Sequence, residues 1–182
     1  MRVIYCEIDG PLIIEPKVFG DARGFFMESF NARDFSEVTG VQCDFVQDNH
    51  SKSSRGVIRG LHYQVAHPQG KLVRVVRGSI FDVAVDLRRS SPTFGKWVGA
   101  EISEENRRQF WVPPGFAHGF FVRSLTAEVL YKATDYYAPA HERTLLWNDP
   151  DIGIQWPRWD DDPLLSEKDR KGLRLKDAEV YA

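Results

Sequence analysis

The sequence predicts an all-β fold, a jelly-roll barrel or sandwich with short peripheral helices, on three observations. Val, Ile and Phe recur on alternate positions through 71–77 and 79–87, the period of a half-buried strand. Roughly ten short runs of this kind follow one another between Gly- and Pro-bearing turns, with little helical periodicity. The connections are long and non-helical, and no Gly-x-Gly-x-x-Gly opens a helix, which speaks against a dinucleotide-binding α/β fold.

Residues 1–19 alternate well enough for one or two short strands, each limited by Pro11 or Pro16. Residues 19–24 read as a loop and 25–30 as a strand carrying Phe26, Glu28 and Phe30 on one face. Asn31 caps a short helix over 32–39, with Asp34 at its third position and Gly40 ending it. Residues 43–50 begin as a strand and turn polar. Gln47 and Asn49 share a face there, and 51–54 continues as loop.

A hairpin turning at Gly78 joins 71–77 to 79–87. Residues 88–95 are a turn-rich connection, and 97–102 alternates again. A tight turn at Pro113–Gly115 enters a strand through His118. Residues 128–135 form a strand with Val129, Tyr131 and Ala133 on one face. The remainder is aromatic and acidic, with Trp147, Trp156 and Trp159, and Ser166–Asp169 has the spacing of a capping box for a short C-terminal helix.

A length of 182 residues with no repeat, linker or low-complexity region predicts a single domain over 1–182. Apolar residues are 42% and charged residues 27%, so the chain can bury a core. A net charge of -2 with interspersed signs gives no reason to expect nucleic acid or an anionic membrane as partner. Cys6 and Cys43 form no Cys-x-x-Cys, which argues against a disulfide framework or a Cys-rich zinc site. The sequence has no signal-like apolar run and no stretch near 18 apolar residues, which points to the cytoplasm.

His62 follows Arg59-Gly60-Leu61 beside the most regular strand run, with Lys71 downstream. An imidazole in an apolar cleft suits proton transfer, and a carboxylate behind it would fix its tautomer. Spacing alone leaves it open between that role and a structural one. His62 and His118 together suggest the small barrels called cupins, whose metal motif resembles His-x-His followed by Glu. Here the pattern is His62-Tyr63-Gln64, so no metal is expected. Tyr131 is a packing residue or a proton carrier, and Asp169 a helix-capping group or a working carboxylate. Arg23, Arg59, Lys71, Arg74 and Lys168 are surface ion-pair partners or, clustered in a cleft, ligands for phosphate or an enolate.

Eight segments then match one family in order. They are DARGFFMESF at 21–30, FVQDNHS at 45–51, GVIRGLHYQ at 56–64 and QGKLVRVVRGSIFDVAVDLR at 69–88, then FWVPPGFAHGF at 110–120, YKATDYY at 131–137, WNDPDIGIQWP at 147–157 and LSEKD at 165–169. Nearly end to end, the chain resembles the dTDP-4-dehydrorhamnose 3,5-epimerases, metal-independent cupin-like enzymes. The resemblance implies a cytoplasmic homodimer without cofactor. Its substrate would be dTDP-4-dehydro-6-deoxy-D-glucose and its product dTDP-4-dehydro-L-rhamnose. It implies His62 as general base, Asp169 as its carboxylate partner and Tyr131 as proton donor. It places Arg59, Lys71 and His118 around the sugar and its C4 oxygen. Arg23, Phe26, Glu28, Gln47, Asn49, Glu142 and Lys168 would contact the nucleotide, with Arg23 and Phe26 reaching the ligand of the neighbouring subunit. Two rivals remain beside it. One is an epimerase of C3 or C5 alone on a related dTDP-4-keto-6-deoxy sugar, told apart by product NMR. The other is a non-catalytic nucleotide-sugar-binding cupin, which would bind without turnover.

Overall fold

The structure, a computed structural model, describes residues 1–158 and 160–182; Trp159 lies outside the described residues. It is all-β with short helices. Among the described residues six strands form one sheet. Their order is β1 (Arg2–Tyr5), β2 (Leu12–Glu15), β10 (Gln109–Val112), β7 (Lys71–Arg77), β12 (Thr126–Ala133) and β5 (Gln47–Ser54). Five strands form a second sheet, in the order β13 (Glu142–Thr144), β6 (Ile58–Gln64), β11 (Phe116–Val122), β8 (Ser79–Asp86) and β9 (Trp97–Ser103). Strands β3 (Val18–Asp21) and β4 (Gly24–Met27) pair only with each other, as an exposed ribbon. The described strand pairs are antiparallel. No described helix is long and apolar enough to cross a membrane.

The strand period of two sorts side chains into three apolar layers. Val73, Val75 and Val129 of the first sheet meet Ile80, Ala84, Phe116, Phe120 and Val122 of the second, which makes the central core. Each fully buried side chain of this size contributes about 1.5–3 kcal/mol. Leu61, Tyr63, Val83 and Val85 point the other way and are covered by the C-terminal segment through Trp156, Leu175 and Tyr181. Leu12, Ile14, Leu72 and Trp111 form the outer face of the first sheet, covered by α1 (Ala32–Thr39) through Phe35. Asn31 accepts from the Arg33 and Asp34 amides and Gly40 closes α1 at φ 71°, as the sequence predicts. The short α2 (Glu167–Arg170) is capped by Ser166.

One close approach sets the register that matters. Gly60 in β6 and Gly119 in β11 lie so near that a Cβ on Gly60 would fall 2.6 Å from the His118 carbonyl oxygen. A Cβ on Gly119 would fall 2.6 Å from the Arg59 carbonyl oxygen. Only glycine allows this contact, and Gly60 also has φ of 113°. With the strands this close, His62 stands directly opposite His118.

Three local expectations are corrected, and one strand is added. Strands β7 and β8 are not a hairpin: at Gly78 the chain passes from one sheet to the other. Residues 51–54 are strand, not loop, because β5 is an edge that pairs only with β12, and its polar residues meet solvent on one side. Residues 19–24 are β3 and its turn into β4, and β4 stops at Met27 rather than reaching Phe30. β6 is itself a strand, disguised in the sequence by Gly60.

Candidate active site

The inward-facing positions of both sheets converge at one end of the core. His62 and Gln64 lie on the face of β6 opposite to Leu61 and Tyr63. His118 lies between Phe116 and Phe120 on the inner face of β11, and Asp82 between Ile80 and Ala84 on that of β8. From the facing sheet, Lys71 shares its side of β7 with Val73 and Val75, and Tyr131 shares its side of β12 with Val129. Asn49 of β5 pairs with Tyr131, and Gln47 pairs with Ala133. His62, Lys71 and Tyr131 open on one cavity, together with Gln64, Gln69, Tyr137 and Glu142. A base from one sheet and a phenol from the other thus share one space.

His62 is held from behind. Its Nε2 lies 2.6 Å from Asp169 Oδ1, and Asp169 Oδ2 accepts from Ser166 Oγ at 2.8 Å. The Asp169 amide bonds the same hydroxyl at 3.1 Å, so the cap of α2 also aims the carboxylate. Burial pushes the Asp169 carboxyl up. The His62 bond and charge, the Ser166 bond and the Lys168 charge outweigh burial, and the net shift is downward. An anionic Asp169 accepts the Nε2 proton, which leaves the lone pair of His62 on Nδ1.

Burial pulls the His62 imidazole below its ordinary 6.5; the Asp169 bond and charge oppose this, and Lys168 and Lys71 add to it. The ring is therefore neutral at neutral pH, with a lone pair free to take a proton. Burial, then the negative charge of Glu142, raises the Tyr131 phenol against the effect of Arg59, so it keeps its proton. Burial brings the Lys71 amine down to about 8, against the negative charges of Glu142 and Asp82 and with the help of Lys168. Its Nζ stands 6.0 Å from the Tyr131 ring centroid. Together these make one bare imidazole, one protonated phenol and one cation of near-neutral strength around a single cavity.

The other expected contacts divide into two groups. Arg59 reaches from β6 to β5, with Nε bonded to Ser53 Oγ at 2.9 Å, and it lines a depression shared with His62, Lys168 and Asp169. Glu142 receives Lys168 Nζ at 2.9 Å on one oxygen and the Tyr137 hydroxyl at 2.9 Å on the other. Gln47 bonds Asn49 Oδ1 through Nε2 at 3.0 Å and the Tyr137 amide through Oε1 at 3.0 Å. His118 is buried, with Nε2 2.6 Å from Asp82 Oδ1. Of these, Glu142 and Tyr137 line the cavity itself, Arg59 and Lys168 line the depression beside it, and Asn49 lines a further hollow with Tyr131.

Arg23, Phe26 and Glu28 line none of the three. Arg23 is exposed at the tip of the β3–β4 ribbon and pairs with Asp21 at 2.5 Å. Phe26, 68% exposed, lines a separate hollow with Phe25, Arg74 and Arg107. Glu28 follows the ribbon and accepts from Asn31 Nδ2 at 3.3 Å.

Sequence reasoning missed Asp82, Gln64 and Tyr137. A charge at an inward position of an apolar strand is the signal that could have found Asp82. Gln64 Oε1 accepts from the Ala138 amide at 2.8 Å, and its Nε2 bonds the His67 and Tyr136 carbonyls at 2.6 and 3.3 Å. It thereby anchors the loop that carries Tyr137. No local pattern marks that loop as part of a site.

The family model for dTDP-4-dehydrorhamnose 3,5-epimerase matches residues 5–177. The chain is 59% identical over 181 residues to a dTDP-4-dehydrorhamnose 3,5-epimerase of Pseudomonas aeruginosa, covering 100% of this chain and 99% of that one. It is 58% identical over 182 residues to the enzyme of the same name from Shigella flexneri, again covering 100% and 99%. Among solved structures it is similar to the Legionella pneumophila dTDP-6-deoxy-D-glucose-3,5-epimerase in complex with dTDP-4-keto-L-rhamnose. The TM-score is 0.95 at 52% identity, over 98% of this chain and 94% of that one.

Proposed function

We infer the chemistry from one premise: the chain belongs to the dTDP-4-dehydrorhamnose 3,5-epimerase family. Its reaction inverts C3 and C5 of dTDP-4-dehydro-6-deoxy-D-glucose and yields dTDP-4-dehydro-L-rhamnose. The ketone at C4 acidifies the hydrogens on both neighbouring carbons. Loss of either leaves an enolate whose negative charge sits on the C4 oxygen.

In our reading, His62 Nδ1 takes the carbon-bound proton, and Asp169 stabilises the imidazolium that forms. The electron pair of the broken C–H bond moves into the enolate. When the enolate collapses, that carbon takes a proton from the Tyr131 hydroxyl on the other side of the ring, and the centre is inverted. His62 then loses its proton to solvent and Tyr131 regains one. Repeating the cycle at the second carbon completes the change. Carbon oxidation states do not alter, so no redox cofactor is called for. Lys71 offers positive charge and hydrogen bonds to the C4 oxygen, where charge develops, with His118 among the groups around the sugar. In this reading Arg59 and Lys168 bind the diphosphate, and Gln47, Asn49 and Glu142 the rest of the nucleotide.

One observation carries this assignment: His62 and Tyr131 come from opposite sheets onto one cavity. Two packed sheets with the site between them support a jelly roll as the finer description of the fold. We also propose a homodimer. The exposed aromatics Phe19, Phe25 and Phe26 on the β3–β4 ribbon support it, since a ribbon of this kind can cross to a partner and bring Arg23 and Phe26 to its cavity.

Turnover in deuterated water tests the roles. The product of the wild-type protein should carry deuterium at C3 and C5, and His62→Asn should abolish both exchanges. Exchange at undiminished rate in that variant would refute His62 as the base.

A further inference from the structure

Beside the His62–Asp169 pair lies a second histidine–carboxylate pair, whose carboxylate the reaction scheme has not used. Asp82 is 0% exposed, set in the apolar core between the sheets. Its Oδ1 is 2.6 Å from His118 Nε2. Its Oδ2 has no hydrogen-bond partner among the described residues. A carboxylate in this position costs stability that an apolar residue would not. Among the described residues no backbone group is capped by it, and no loop is held by it.

The register explains what it does reach. Asp82 pairs with Phe120 of β11, two residues from His118, the diagonal distance that a side chain spans on one face of a sheet. His118 in turn pairs with His62 of β6. Across the core, Asp82 also acts on Lys71, whose other charged neighbours are Glu142 on β13 and Lys168 on α2. One buried carboxylate therefore addresses two of the groups around the sugar.

We propose that Asp82 is a positioning residue for the proton transfers: it fixes the His118 ring through Nε2 and, second to Glu142, adds negative charge around Lys71. This role rests on the epimerase reading above.

The test is Asp82→Asn, which keeps the size and one acceptor but removes the charge. In the folded variant, kcat should fall about 10- to 100-fold, as a small misplacement of a group at the reacting centre does. KM should change much less. The alkaline limb of the pH–rate profile should move to lower pH, because Lys71 then gives up its proton sooner. A folded Asp82→Asn variant with wild-type kcat and an unmoved profile overturns the proposal, while wild-type turnover in the same assay leaves the epimerase reading standing. Absence of turnover in the wild-type protein sinks both. If Asp82→Asn does not fold, nitrogen-15 histidine spectra of the wild-type protein decide, with His118 assigned through His118→Asn. A hydrogen-bonded proton on His118 Nε2 supports the pair, and a bare Nε2 overturns it.

Discussion

His62 Nε2 and Asp169 Oδ1 are 2.6 Å apart although 107 positions separate them in the chain. The bond joins an inward position of β6 to the third residue of a helix only four residues long. It decides which nitrogen of His62 is free to react. It also means that the C-terminal segment completes the site rather than merely covering the sheet.

Asp169→Asn should therefore leave the fold intact and cripple the chemistry. The amide can present its NH₂ to Nε2, which moves the ring proton to Nδ1 and removes the reactive lone pair. We expect kcat to fall about 10²- to 10⁴-fold with little change in circular dichroism. Steady-state kinetics on dTDP-4-dehydro-6-deoxy-D-glucose measures this, and a loss below about fivefold would contradict the assignment.

Tyr131→Phe should separate two events that the wild-type protein couples. Proton abstraction by His62 survives, but the donor on the other side of the ring is gone. Hydrogen should still exchange from the substrate into deuterated water, while inverted product forms about 10²-fold or more slowly. Deuterium NMR of recovered substrate distinguishes this from a variant dead in both respects.

The pH dependence follows from His62 and Lys71. His62 must be neutral and lies below 6.5, so the acid limb of kcat/KM should fall below that value. Lys71 must be charged and lies at about 8, so activity should decline as pH rises through that region. Stability runs the other way. Unfolded Lys71 keeps its proton to about 10.5, whereas the folded protein releases it near 8. Between those values the unfolded chain binds more protons, and stability rises with pH. Lys71→Met should raise Tm at pH 7 while lowering kcat about 10²-fold, and its gain in Tm should shrink above pH 8.

Gly60→Ala should be among the most damaging small changes in the chain. The added Cβ meets the His118 carbonyl at 2.6 Å and the Gly119 Cα at 2.7 Å, both backbone atoms, at φ 113°. We expect a loss of about 2–4 kcal/mol in urea unfolding, together with reduced activity from the shifted His62. Stability within about 0.5 kcal/mol of wild type would show that β6 and β11 are not pressed together as described.

Much of this was legible in the chain. Alternation in 71–77, 79–87 and 128–135 revealed strands because successive side chains of a strand point to opposite faces. Asn31, Gly40 and Ser166 marked helix ends because capping chemistry is local. Strand partnership was not legible. The turn at Gly78 looks like a hairpin in sequence, yet its two strands enter different sheets, a choice made by long-range packing. The polar run at 51–54 suits an edge strand as well as a loop, and only its pairing with β12 decides. The site divides in the same way. His62 stands out as an imidazole beside a strand, but its link to Asp169 came from family resemblance. Asp82 and Gln64 act through contacts across the fold, and no spacing rule reports those.

The most direct test is a crystal structure with a dTDP-4-keto-6-deoxy sugar bound. The account predicts the hexose between the two sheets, His62 Nδ1 on one side of the ring, the Tyr131 hydroxyl on the other and Lys71 at the C4 oxygen. Both groups on the same side, or a sugar lying outside the cavity they share, would contradict it.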